Sequence, residues 1–124
     1  MTREIPQKFW ASFCDRLKDW YRGNVSIRWI QPGGTTQIVA DDMPLQTVAF
    51  EKKDHESCDT MTIETGLDND QPSQYQITEP IHILLRQNDE SGRYNEVEIL
   101  AETGKTEIIF SPGIDSGLLE KLAA

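Results

Sequence analysis

The stretch from Ile5 to Gly23 constrains this chain more than any other. Phe9, Phe13, Leu17 and Trp20 recur at i, i+4, i+8 and i+11, one apolar stripe at helical period. Trp10 and Tyr21 widen that stripe, and Cys14 lies at its edge. Pro6 suits a first helical turn, where its missing N–H is no loss. Gly23 stands where a left-handed residue would close the helix. A helix is therefore expected over about residues 6–22. So short a helix is marginal alone in water, and its stripe needs something to pack on. The expectation is a sheet, with Phe9, Phe13, Leu17 and Trp20 against it and Lys8, Asp15, Lys18, Asp19 and Arg22 in solvent. An exposed stripe would instead mark a partner site.

Almost everything after the helix alternates at period two. Val25, Ile27 and Trp29 alternate with Ser26 and Arg28; Ile38 and Ala40 share a face, as do Val48 and Phe50, and Met61 and Ile63. Ile81, Ile83 and Leu85 oppose His82 and Arg86. Val97, Ile99 and Ala101 point inward with Glu96, Glu98 and Glu102 outward, and Ile108 and Phe110 point inward after a tight turn at Thr103-Gly104-Lys105. Pro32-Gly33-Gly34 is a turn, Asp41-Asp42-Met43-Pro44 and Glu79-Pro80 interrupt strands, and Ser111-Pro112-Gly113 ends the sheet. Asp115 or Ser116 caps a terminal helical turn over about residues 115–122. The fold class that follows is α+β, mostly β, in a single domain over 1–124. An amphipathic N-terminal helix packs on a curved antiparallel sheet or small barrel of about 7–8 strands within about 24–111, with a short C-terminal helix.

Charge limits the partners. The formal net charge is −9, which argues against nucleic-acid backbones and anionic membrane surfaces. No apolar run approaches the ~20 residues of a membrane span, and no secretory leader is read at the N-terminus. Cys14 and Cys58 are too few for a disulfide framework and read as reduced thiols of a cytoplasmic protein. The charge is uneven, since Arg3, Lys8, Arg16, Lys18, Arg22 and Arg28 outnumber Glu4, Asp15 and Asp19 in the first 30 residues of an acidic chain. Acidic strands raise the idea of nucleic-acid mimicry, although a run of carboxylates is usually a solvated face.

Chemistry-bearing motifs are sparse. Pro32-Gly33-Gly34 lacks the spacing of a phosphate loop. Asp54, His55, Glu56, Cys58 and Asp59 gather metal-ligand types, without the paired cysteines of a zinc site or the alternation of a calcium loop. No metal or cofactor is expected. His82, His55 and Arg86 are the candidates for a ligand or partner site, with Glu79 and Glu98 as further polar groups that folding could bring to them. The terminal Leu122-Ala123-Ala124 is similar to the end of a bacterial degradation tag.

Ile5-Pro6, Trp10 and Phe13, Tyr21-Arg22-Gly23, Pro44-Leu45, Asp59 to Ile63, Ile77 to Ile83 with its internal Pro80, and Asn95-Glu96-Val97-Glu98-Ile99 followed by Thr106 to Phe110 occur in a distinctive order. Over about residues 4–112 this order resembles a family of small bacterial proteins classed only as a domain of unknown function. The resemblance implies a bacterial, cytoplasmic protein, and brings no substrate, cofactor or catalytic residue. After Ile77, where the family pattern has a histidine, this chain has Thr78.

Two functions of different class remain. The first is a non-catalytic binding or protein-interaction module, with a protein or a second copy as partner. The alternative is a small ligand-binding or enzymatic barrel with a site around His82, which requires a pocket of about 300 Å3 or more.

Overall fold

The computed structural model describes residues 2–21, 23–51, 59–66, 73–87 and 93–114. β1 (Thr2–Glu4) leads through a 3-10 turn (Gln7–Phe9) into α1 (Trp10–Trp20). β2 (Asn24–Ile30), β3 (Thr36–Glu51), β4 (Thr60–Thr65), β5 (Ser73–Thr78), β6 (Pro80–Gln87), β7 (Tyr94–Ala101) and β8 (Gly104–Ile114) follow. They form one antiparallel sheet in the order β1-β6-β7-β8-β2-β3-β4-β5.

That order has a geometric consequence. β5 and β6 are separated in sequence by Glu79 alone, yet β5 is the last strand of the sheet and β6 lies next to the first. One residue can join them only if the sheet curls until its two ends approach. The sheet is therefore curled but open, because β1 and β5 remain unpaired with each other. β3 turns a second corner. Its first part pairs with β2 as far as Pro44, and its second part pairs with β4 from Leu45 onward.

Both corners carry the left-handed backbone that re-aims a strand. Asp42 has φ 51° and Glu79 has φ 52°, the two positive-φ residues other than glycine among those described. At the corner within β3 the Asp42 N–H donates to Ser26 Oγ at 2.9 Å, and Asn24 Nδ2 donates to the Asp42 carboxylate at 3.2 Å. At the β5–β6 corner the Glu79 N–H donates to the Asp59 carbonyl at 2.8 Å. Aspartate tolerates this conformation, whereas glutamate bears its full steric cost.

The curl encloses one core, and α1 covers it. Trp10, Phe13, Cys14, Leu17 and Tyr21 are buried, and the helix packs principally on β3. Each large side chain contributes roughly 2 kcal/mol through burial. Trp10 packs edge-on against Phe50 with ring centroids 5.5 Å apart, while its indole N–H donates to the Ile5 carbonyl at 2.9 Å. Tyr21 packs edge-on against Phe110 at 5.0 Å. From the sheet, Val25, Ile27, Val48, Met61, Ile63, Ile83, Leu85, Val97, Ile99, Ile108 and Phe110 complete the core. Lys8, Asp15, Lys18 and Asp19 lie in solvent, as the sequence requires.

Several sequence expectations are corrected. The helical segment starts at Gln7, within the expected range, but as a 3-10 turn that becomes α-helical at Trp10. Ahead of it residues 2–4 form a strand that was not expected, and Ile5 N–H continues its ladder to the Ile83 carbonyl at 2.9 Å. The buried stripe is centred on Trp10, Phe13, Cys14 and Leu17, so Cys14 is at its middle and Phe9 is half-buried beside it. The helix ends where Tyr21 turns extended, with φ −79° and ψ 130°. Gly23 is small for another reason: a Cβ there would meet the Tyr21 hydroxyl and the Ser111 carbonyl. Residues 41–44 bend β3 without ending it, since Pro44 sits where the strand changes partner and its missing N–H is tolerated. β8 runs on through Pro112 to Ile114. Ile38 is 67% exposed because the register shift between Ile27 and Arg28 sets it opposite Arg28, on the outer face of the sheet. Ile81 is 50% exposed because the register shift between Pro80 and His82 makes it the extra residue. The expected C-terminal helix, and the turns at 67–72 and 88–92, lie outside the described residues, as do Arg22 and the side chain of Trp20.

Glu79 tests the corner. Glycine there relieves the left-handed strain at some cost in unfolded-chain entropy, so Glu79→Gly is expected to gain about 0.5 kcal/mol, while Glu79→Val loses about 1–2 kcal/mol. Urea unfolding of the two variants beside the wild type checks this, and equal losses in both would contradict the strained corner.

Candidate functional site

The outer face of β6, β7, β8, β2 and the start of β3 gathers the charged side chains of the sheet. Hairpin register decides which residues meet. The β7–β8 turn pairs Ala101 with Gly104, so Glu98 stands directly opposite Glu107. Gly104 is required at this turn, because φ is +132° and a Cβ would collide with the Ile30 carbonyl. Glu107 in turn faces Arg28, Arg28 faces Ile38, and on the other side Glu98 faces Leu84. One row therefore reads Leu84, Glu98, Glu107, Arg28, Ile38 across five strands. The row on one side contains His82, Leu100, Lys105 and Ile30; the row on the other contains Arg86, Glu96 and Ile109.

Two carboxylates directly opposite each other repel. Here they are held by Arg28 from their own row and by Arg86 and Lys105 from the neighbouring rows. Arg86 Nε lies 2.6 Å from Glu98 Oε1 and 3.6 Å from Glu96 Oε2. Lys105 Nζ lies 3.8 Å from Glu98 and 3.9 Å from Glu107. Arg28 Nη2 lies 3.3 Å from Glu107 and 3.8 Å from Glu96. The side chain of Glu98 is only 5% exposed although it points away from the core. Its own neighbours bury it, and the close contact with Arg86 satisfies its charge. The hydrogen bond to Glu98 and its negative charge hold the Arg86 guanidinium above its ordinary pKa.

Glu96 differs. Burial raises its pKa, a hydrogen bond with Glu107 raises it further, and the charges of Glu107 and Glu98 add to this; Arg86 opposes them. Glu96 and Glu107 can make that bond only if one carboxyl keeps its proton.

Glu96, Glu98 and Glu107 bring carboxylate oxygens within 4.8 Å of one another, a spacing that a hard cation could use. The same oxygens already face Arg28, Arg86 and Lys105, which a cation would have to displace. The arrangement is a charge-balanced network, bordered by Leu84, Leu100, Ile30, Ile109 and Ile38.

The sequence candidates fall as follows. Arg86 belongs to this network. His82 is on the same face of β6, roughly 13 Å along the strand, with Nδ1 3.1 Å from Glu4 Oε2 on β1. Both groups are about half exposed. Glu98 joins Arg86 but not His82, and Glu79 sits at its corner. His55 and Cys58 lie outside the described residues, with most of the cluster of metal-ligand types around them. Arg28, Glu96, Lys105 and Glu107 were not singled out from sequence. Counting back from the β7–β8 turn would have placed Glu98 against Glu107, and this is the signal that could have found them.

Elsewhere, an open cleft of about 380 Å3 is lined by Gln7, Lys8, Ala11 and Phe50. It exceeds the size asked of a small-molecule site, but His82 is not among its lining residues. Burial, helped by the charge of Asp15, pushes the Cys14 thiol up to about 12, so it is inert as a nucleophile near neutrality. Burial likewise pushes the Tyr21 hydroxyl up to about 12, against a backbone hydrogen bond with Ser111 that lowers it.

An N-terminal helix over a curled, open antiparallel sheet, with a charge-balanced outer face, defines the class of this protein. The chain belongs to the family of unknown function DUF5335, whose profile matches residues 1–112. Searches of curated proteins and of solved structures give no match. Among the described residues, no helix is long and apolar enough to cross a membrane.

Glu96 yields a pH prediction. A carboxyl whose folded pKa exceeds its unfolded value stabilises the fold in acid, and that contribution is lost as pH rises through the folded pKa. Glu96→Gln carries an uncharged donor at every pH. Its stability is expected to exceed that of wild type at about pH 8 and to match it at about pH 4. Urea unfolding at both pH values measures this. A variant weaker than wild type at about pH 8 would show that the ion pairs of Glu96 outweigh its burial.

Proposed function

We propose that this protein is a non-catalytic, cytoplasmic protein-interaction module whose contact surface is the outer face of β6, β7, β8, β2 and β3. The observation that carries the reading is the composition of that face. Ile38, 67% exposed, stands at the end of a row whose carboxylates are already ion-paired within the chain. Half-buried Ile30, Leu84, Leu100 and Ile109 continue the apolar surface around the network. Covering such a face removes aliphatic surface from water without stripping partners from its carboxylates.

Charge selects the partner. The chain carries −9, and Glu4, Asp41 and Asp42 are exposed near the edges of the face. A protein with an apolar patch inside a basic rim complements both features. The His82-centred alternative has less support, because the ring is engaged by Glu4 on an exposed strand and the cleft lies elsewhere.

The test is binding to a basic protein recovered on the immobilised chain, repeated with both components purified. Calorimetry is expected to show affinity that falls as salt rises and at least a tenfold loss with Ile38→Glu, roughly 1.4 kcal/mol. Affinity unchanged by Ile38→Glu would remove this face from the contact.

A further inference from the structure

A second surface invites a partner of another kind. β5 ends the sheet, and among the described residues no strand pairs with its outer side. Natural edges are usually blunted by shortness, charge, proline or a bulge. β1, the opposite edge, follows this rule: it has three residues, two of them Arg3 and Glu4. β5 has none of these devices. Its six residues, Ser-Gln-Tyr-Gln-Ile-Thr, carry no charge and no proline. Its pairing with β4 runs from Thr65–Ser73 to Thr60–Thr78 without a register shift. Tyr75 braces it from inside, since its hydroxyl lies 2.9 Å from Thr106 Oγ1 on β8. The result is a row of backbone donors and acceptors uninterrupted by a bulge.

We propose that β5 is a homodimerisation edge, pairing antiparallel with β5 of a second copy about a two-fold axis at Gln76. The strand fits itself in that register. Same-face pairing sets Tyr75 opposite Ile77 of the second copy and Gln74 opposite its Thr78, and it brings the two Gln76 amides together on the exposed face. The first charged residue beyond the strand, Glu79, meets Ser73 and not another acid. This matters in a chain of net charge −9, where two copies can approach closely only where like charges are not opposed. The contact is isologous and closes at two subunits. It shares no residue with the outer-face contact, and its salt dependence has the opposite sign. Screening weakens the repulsion between two acidic bodies, so the dimer tightens as salt rises.

Sedimentation equilibrium of the intact chain, across a range of salt, tests the proposal with two charge variants. Wild type is expected to dimerise, more tightly at higher salt. Gln76→Glu and Gln76→Lys each place like charges face to face and are expected to weaken the dimer about tenfold. An equal mixture of the two variants is expected to recover it, which also shows that both are folded. A wild type that stays monomeric throughout overturns the proposal. So does a Gln76→Glu dimer as tight as wild type, or a mixture that does not recover.

Discussion

The constraint on which this structure depends is the single-residue link at Glu79. It joins the last strand of the sheet to the strand beside the first, so the sheet has to curl. Curling provides the concave surface on which everything apolar converges. Without it, Met61, Ile63 and Ile77 on one part of the sheet could not share a core with Val97, Ile99 and Ile108 on the other. The open side is then large enough for one helix, and α1 closes it with Trp10, Phe13, Cys14 and Leu17. The strain of a left-handed glutamate is small beside the burial that it permits.

The same curl gives the protein a convex side, and that side manages charge. Hairpin register forces Glu98 and Glu107 together. The conflict is resolved sideways, by Arg86 from β6, Lys105 from β8 and Arg28 from β2. Each cation reaches two carboxylates, so the network holds four strands in register as well as neutralising them. What remains at the margins is aliphatic. A face whose carboxylates are ion-paired internally and whose border is apolar can be covered by another protein with little electrostatic penalty.

Much of the fold was legible because local patterns and the tertiary structure agree. Met61 and Ile63, Val97 and Ile99, and Ile108 and Phe110 alternate in sequence and are buried in the fold. The helix was legible from its stripe, although its centre lies one residue from the expected line and its first turn is 3-10 in form. The failures share one cause. Ile38, Ile81, residues 41–44 and Pro112 all lie where a strand bends, bulges or outruns its neighbour, and there the alternation no longer reports depth. The outer-face network was only partly legible. Arg86 and Glu98 were singled out, but as companions of His82, because strand order was missing and reach across strands could not be judged.

The sequence by itself determined the elements: period-two alternation makes strands, a helical stripe makes one amphipathic helix, and the short loops make neighbours antiparallel. Family membership was also recognisable from the order of its residues, and the profile match over residues 1–112 agrees with it. Only the tertiary structure decided strand order, the corners at Asp42 and Glu79, and hence which charges meet on the convex face. The physical reason is that alternation fixes the face of each side chain within its own strand, whereas the pairing of strands distant in sequence depends on how the whole sheet curls to bury the helix.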